Sequence, residues 1–186
     1  RMLYTVTESK GLMLLLGEEG IGKTFTLHFF TEEIRTKGYP VGFLRTPGRT
    51  PDDLLVQVLY EFGIPHRNAS RVEKFQFLSE AAVGVGRNGR HLILIIDDAH
   101  LISSTETFEE IRGFLNLSSR RQFLITVFLA GAPDLWARLV DVQGMRQRVG
   151  VAFRMDLKPP PPRCRSTKCS PKKACNTPAM NIPKSR

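Results

Sequence analysis

At 186 residues the chain is long enough for one domain with a real core. Its net charge of +9 sits at one end: residues 158–186 hold eight Lys and Arg and no acid, which leaves 19 Lys and Arg against 18 Asp and Glu over residues 1–157. No apolar run is long enough to cross a membrane, no basic-apolar-small order marks a signal peptide, and all three cysteines lie in the basic tail, which excludes a disulfide framework for the core.

The chain opens on Arg1 rather than Met, as a fragment or a processed chain would. The first patterned segment is the apolar run Leu12 to Leu16, which reads as a strand. Lys23 to Thr36 reads as a helix with Phe25, Leu27, Phe30 and Ile34 as its apolar face and Lys37-Gly38 as its stop. Val41 to Leu44 is a short second strand, followed by a loop through Arg49. Thr50-Pro51-Asp52-Asp53 opens the next helix with a capping hydroxyl, Pro at the first helical position and acids in the first turn. Its buried stripe is Leu54, Leu55, Val58, Leu59 and Phe62, and Gly63 ends it. Ser70 caps a further helix with Val72, Phe75, Leu78 and Ala82 inward, and Asn88-Gly89 is a turn. His91 to Ile96 is continuous and apolar, the pattern of a strand buried on both faces. Thr105 to Leu117 is helical, Phe123 to Leu129 is another buried strand, Pro133 to Val140 is helical, and Val151 to Phe153 is a last short strand. Strands alternating with helices predict an α/β fold: a parallel sheet covered on both faces.

Between the first strand and the first helix stands Gly17-Glu18-Glu19-Gly20-Ile21-Gly22-Lys23-Thr24, which is G-x-x-x-x-G-K-[ST] without a mismatch. Glycines let the backbone curl so that several N–H groups point at phosphates. The N-terminus of the following helix adds its partial positive charge. Lys23 carries a full charge to the β- and γ-phosphate oxygens, and the Thr24 hydroxyl is a hard oxygen ligand for Mg²⁺. Residues Gly17 to Thr24, with Phe25 next in the chain, form the candidate nucleotide-binding set. The nucleotide implied is ATP.

The second signal lies about seventy residues further on, in Leu92-Ile93-Leu94-Ile95-Ile96-Asp97-Asp98-Ala99-His100. An acid at the end of an apolar strand sits on the carboxyl edge of the sheet, where open α/β sheets bind ligands. Asp97 is expected to face Thr24 across the Mg²⁺, and Asp98 to orient the water that attacks the γ-phosphate. His100 has no second His or Cys at ligand spacing, so it reads as a packed or hydrogen-bonded histidine rather than a metal ligand.

Taken together, residues 10 to 158 resemble the AAA-type P-loop ATPases, and within them the group that contains the general-secretion-pathway and transposition ATPases. The resemblance rests on the phosphate loop, on Ile95-Ile96-Asp97-Asp98-Ala99-His100-Leu101, on Phe128-Leu129-Ala130-Gly131-Ala132-Pro133-Asp134-Leu135 and on Met145-Arg146-Gln147-Arg148-Val149. It implies a three-layer sandwich whose five parallel strands run in the order 5-1-4-3-2, Mg-dependent ATP hydrolysis, and a switched partner in secretion, cell-wall or transposition machinery. The other reading is a nucleotide-gated binding module with negligible hydrolysis. By the same resemblance, Arg148 reaches a neighbouring subunit's nucleotide, with Lys23 and Asp98 the other catalytic residues; a surface salt bridge is the competing role for Arg148. A ring or dimer through the Arg148 side follows from the family alone. DNA is one partner the subgroup allows, although the near-neutral core carries no nucleic-acid footprint. A cytoplasmic protein is expected, held to the inner membrane only through a partner.

Three departures stand out. Asp98 is one methylene shorter than the usual glutamate. Ala132 occupies the place of a polar residue that senses the γ-phosphate. From Lys158 the chain turns to Pro-, Lys- and Cys-rich sequence where the family continues into a helical lid; seven of the twelve prolines lie there. The domain boundary is therefore placed between a core, residues 1–157, and a basic tail, residues 158–186, which is too poor in apolar residues to fold. Three readings of the tail stand: a basic arm for nucleic acid or acidic lipid, a weak metal site at Cys164, Cys169 and Cys175, and out-of-frame translation that replaces the lid.

Overall fold

The computed structural model describes residues 2–156 apart from Ser9, Arg120 and Arg121. The basic tail, its cysteines and the question of a lid lie outside the described residues.

In chain order the elements are α1 (Met2–Thr7), β1 (Leu12–Leu16), α2 (Lys23–Thr36), β2 (Val41–Leu44), α3 (Pro51–Glu61), α4 (Arg71–Arg87), β3 (Leu92–Ile96), α5 (Thr105–Asn116), β4 (Ile125–Gly131), α6 (Leu135–Asp141) and β5 (Val149–Arg154). Single 3₁₀ turns cover Ala99–Leu101 and Arg146–Arg148, and a small antiparallel hairpin pairs Ser118–Ser119 with Gln122–Phe123. The helix start signals hold at the atomic level. Thr50 and Ser70 each close a reciprocal capping box, with Asp53 and Glu73 as the returning acids. Ser104 accepts the Thr107 N–H at the start of α5.

The five main strands form one parallel sheet in the order β2-β3-β4-β1-β5. Read from the other edge, with the hairpin strands left uncounted, this is the expected 5-1-4-3-2. β1, β3 and β4 are buried along their whole length, which is why they read as unbroken apolar runs rather than as alternations.

Successive side chains on a strand point to opposite faces, and this splits the core in two. Leu12, Leu14, Leu92, Leu94, Ile96, Val127 and Leu129 face α3 to α6. Met13, Leu15, Ile93, Ile95, Phe128 and Ala130 face α2, with Val6 of α1 in the same cluster. The chain thus leaves β1 over one face, through α2, and reaches β5 over the other, through α6. Connections departing in opposite directions open a crevice at the carboxyl ends of the strands between them.

Several expectations need correction. Phe25 does not belong to the buried face of α2: it is 76% exposed, and Leu27, Phe30, Thr31 and Ile34 fill that face. The apolar residues of α2 extend around more than one side, and only the stripe that meets the sheet is covered. Val72, 78% exposed in the first turn of α4, likewise points away from the core. Phe123 belongs to the hairpin, so β4 starts two residues later than its apolar run and continues through Gly131. Helix α1 was not anticipated; its six residues are too few for a periodic pattern to declare itself.

β5 begins earlier than Val151 and carries a bulge at Gly150: Leu12 pairs with Val149 and Met13 with Val151. Val149 consequently packs with the core of α3 to α6, while Val151 and Phe153 pack on the α2 side. A Cβ at Gly150 would lie 2.9 Å from Lys10 Cβ, so the close approach needs glycine.

Candidate nucleotide-binding site

The loop after β1 is anchored to the sheet by Gly17, whose N–H donates to the Gly131 carbonyl at 3.1 Å. Gly20 and Gly22 then take positive φ, 75° and 97°, a conformation that L side chains adopt at a cost. This curl delivers Lys23 and Thr24 to the first turn of α2. Helices α3, α4 and α5 carry side-chain caps, but the cap position of α2 is Gly22, with no side-chain hydrogen bond to the helix. Its first N–H groups therefore remain available to an anion.

Lys23 is buried, and its Nζ donates to the carbonyls of Gly17 at 2.8 Å and Glu18 at 2.9 Å. The ammonium is held inside the loop, on the side where phosphate oxygens would replace those carbonyls. Thr24 Oγ1 donates to Asp97 Oδ2 at 2.6 Å. The two residues are 73 positions apart in the chain and meet because Asp97 directly follows β3 on the same sheet edge. Asp97 is 2% exposed. Its N–H donates to the Leu44 carbonyl, and its Oδ1 accepts the Asp98 N–H at 2.9 Å. That pair of bonds fixes the carboxylate toward Thr24.

A cleft of about 510 Å³ is lined by Glu19, Gly20, Gly22, Lys23, Thr24, Asp98, His100 and Leu101. Of the expected set, the loop residues, Asp97 and Asp98 come together here. Gly17 and Ile21 form the loop's inner wall, where a Cβ on Gly17 would meet Ile21 Cγ2 at 2.9 Å. The Phe25 ring points to solvent, so only its backbone shares the helix N-terminus. Arg148 does not join this cleft. It precedes β5 at the end of the sheet opposite the phosphate loop, with its guanidinium on Asn116 Oδ1.

The donor set fits a nucleotide with its magnesium. A hydroxyl and a carboxylate in mutual contact are hard oxygen ligands that leave coordination positions for phosphate and water. Among the described residues no group of three or more His, Cys, Asp or Glu gathers to hold a metal by itself. Magnesium would thus be held between Thr24, Asp97 and the phosphates.

Two contacts around the cleft had no linear signal. Arg138 of α6 donates to the carbonyls of His100 at 2.7 Å and Ile102 at 3.3 Å, tying α6 to the turn after β3. Gly131 lets that turn lie against the end of β4, since a Cβ there would be 3.0 Å from the His100 nitrogen.

This loop, this acid and this sheet order define a P-loop nucleotide-binding domain of the AAA type. The family model described as "AAA domain" matches residues 6–139, and the chain belongs to that family. No curated protein matches. Among solved structures, the ORC2 protein of Aeropyrum pernix in ADPNP and ADP complexes is 16% identical, with a TM-score of 0.58 over 82% of this chain and 44% of that one. Cdc6p of Pyrobaculum aerophilum is 22% identical, with a TM-score of 0.59 over 77% of this chain and 38% of that one. A chain of the Drosophila ORC bound to AT-rich DNA and Cdc6 is 16% identical, with a TM-score of 0.56 over 83% and 51%. At these identities the likeness is one of fold. The chain spans about half or less of each of these relatives, and none of the three is a secretion or transposition ATPase, so that finer expectation draws no support from them.

Proposed function

We propose that the chain binds ATP with Mg²⁺ in the cleft after β1 and hydrolyses it, using the change to switch its contacts with a partner. The observation that carries this reading is the 2.6 Å contact between Thr24 and Asp97 beside the buried Lys23 ammonium. Bound magnesium supplies charge neutralisation across the β- and γ-phosphates. Lys23 exchanges its two loop carbonyls for phosphate oxygens. The free N–H groups of α2 take the remaining phosphate charge. Asp98, at the cleft mouth, accepts a hydrogen bond from the attacking water. Arg148 lies too far round the sheet to serve its own cleft, and serves a neighbouring subunit's in a ring or dimer.

The partner is one of an assembly in secretion, cell-wall or transposition machinery. The DNA in the Drosophila complex adds a nucleic-acid partner to the options for this chain. In a second reading the domain is a nucleotide-gated binding module with negligible hydrolysis. The short Asp98 and the apolar Ala132 favour it. Phosphate release under saturating ATP, with partner present, separates the two.

The primary test is Lys23→Ala. The expected result is loss of nucleotide affinity by at least about a hundredfold, from removal of a charge-assisted contact in a closed loop. It is measured by isothermal titration with ATP·Mg, and retained affinity removes the site assignment.

A further inference from the structure

His100 is fixed in place with greater care than a filler of the core requires. Its carbonyl is clamped by Arg138 at 2.7 Å, and its nitrogen and Cβ rest against Gly131 at the tip of β4. His100 is one of the residues that line the nucleotide cleft. Nδ1 is buried and has no hydrogen-bond partner, while the nearest carboxylate oxygen, Oδ1 of Asp98, stands 3.9 Å away. That distance is too long for a hydrogen bond and short enough for a modest side-chain rotation to close. A buried polar atom left unpaired is unfavourable and calls for an explanation.

Asp98 has the complementary need. Its backbone is held in the left-handed region at φ 47° by the turn that follows β3, yet its carboxylate is 46% exposed, and His100 is its only charged or titratable side-chain neighbour within ion-pair distance among the described residues. A short carboxylate at a cleft mouth, free to rotate, is poorly placed to orient water. Ala132, just beyond Gly131 on the same edge, has no polar atom with which to help.

We propose that His100 is a positioning residue: with nucleotide in the cleft, its Nδ1–H donates to the Asp98 carboxylate and holds it over the γ-phosphate, the polar contact that Ala132 does not provide. This deepens the ATPase reading and rests on it. Because the backbone that carries His100 is held by Arg138 and packs at Gly131, the arrangement makes α6 and the end of β4 part of what aims Asp98.

The test uses the full chain and two readouts. In the first, imidazole ¹H–¹⁵N spectra of His100 are recorded with a non-hydrolysable ATP analogue and Mg²⁺. The expected result is a hydrogen-bonded Nδ1–H signal that disappears in Asp98→Ala; the same signal in both proteins overturns the proposal. In the second, steady-state phosphate release is compared for His100→Ala and His100→Asn, the asparagine amide lying near the position of Nδ1. The expected result is a kcat lowered about tenfold or more in His100→Ala with ATP affinity within about twofold of wild type, and most of the rate restored in His100→Asn. Wild-type turnover in His100→Ala, or no recovery in His100→Asn with affinity intact, overturns it. A wild-type chain that binds the analogue without hydrolysing ATP leaves the imidazole signal to decide. A chain that shows no thermal shift with ATP·Mg fails the nucleotide reading itself and takes this proposal with it.

Discussion

Asp98 and His91 show how the environment of one side chain sets its chemistry. Asp98 occupies backbone that non-glycine residues rarely adopt, stabilised by its N–H on Asp97 Oδ1 and its carbonyl on the Leu101 N–H. Backbone held this way persists only where the surroundings determine it, and such positions cluster at functional sites. Asp98→Asn keeps the turn, because Asn also tolerates φ > 0, but removes the carboxylate proposed to orient the attacking water. The expected result is ATP affinity close to wild type and turnover lowered about a hundredfold, within the range of a lost general base, read by coupled phosphate assay. His91 is a different case. It is buried beside the Tyr39 ring, its Nε2 has no partner, and burial lowers its pKa from 6.5 to about 4. The folded chain therefore keeps it neutral where the unfolded chain would protonate it. Its contribution is complete above about pH 6.5 and is lost as the pH falls toward 4. Over that window His91→Leu should flatten the acid loss of stability by on the order of 2–3 kcal/mol, measured by urea unfolding at stepped pH.

At the scale of elements, the caps and the sheet edges carry local determinants. Thr50→Ala breaks the α3 box, in which Thr50 and Asp53 bond each other's backbone. It should cost about 1 kcal/mol and a few degrees in melting temperature while leaving the stabilisation by ATP unchanged, as thermal scans with and without nucleotide will show. The exposed edge of β2 is protected by a side chain from another element: Glu61 Oε2 at the end of α3 accepts the Phe43 N–H at 3.1 Å. Helices α3, α4 and α5 are joined through a charged cluster in which Arg71 pairs with Glu110 and Lys74 with Asp52. Burial raises the Glu110 pKa, Arg71 opposes that shift and Asp52 adds to it. Long periodic helices were legible because several turns repeat the same face. α1, the hairpin and the 3₁₀ turns were not, because two to six residues hold no period.

For the molecule as a whole, the site exists only when β1, β3 and α2 are assembled, so nucleotide binding and folding are linked. ATP·Mg at about a hundred times its dissociation constant should add about 2.7 kcal/mol to stability. EDTA should remove much of that increment, because Thr24 and Asp97 would then face the phosphates without the cation. Differential scanning calorimetry with ATP, with ATP·Mg and with ATP plus EDTA tests both statements. Among the described residues no helix is long and apolar enough to cross a membrane.

The local pattern carried the phosphate loop, the acids that follow β3, the helix caps and the positions of the buried strands, since each depends on neighbours within a few residues or on a run of apolar side chains; the order of the strands in the sheet came from the family resemblance. Assembly alone revealed that Thr24 and Asp97 are in direct hydrogen-bond contact, that Phe25 and Val72 face solvent, that Arg148 stands away from its own cleft, and that Arg138 and Gly131 hold the backbone of the turn that carries His100. Those relations join residues tens of positions apart. They are settled by which strands pair and which helix faces meet the sheet, and no spacing along the chain encodes them.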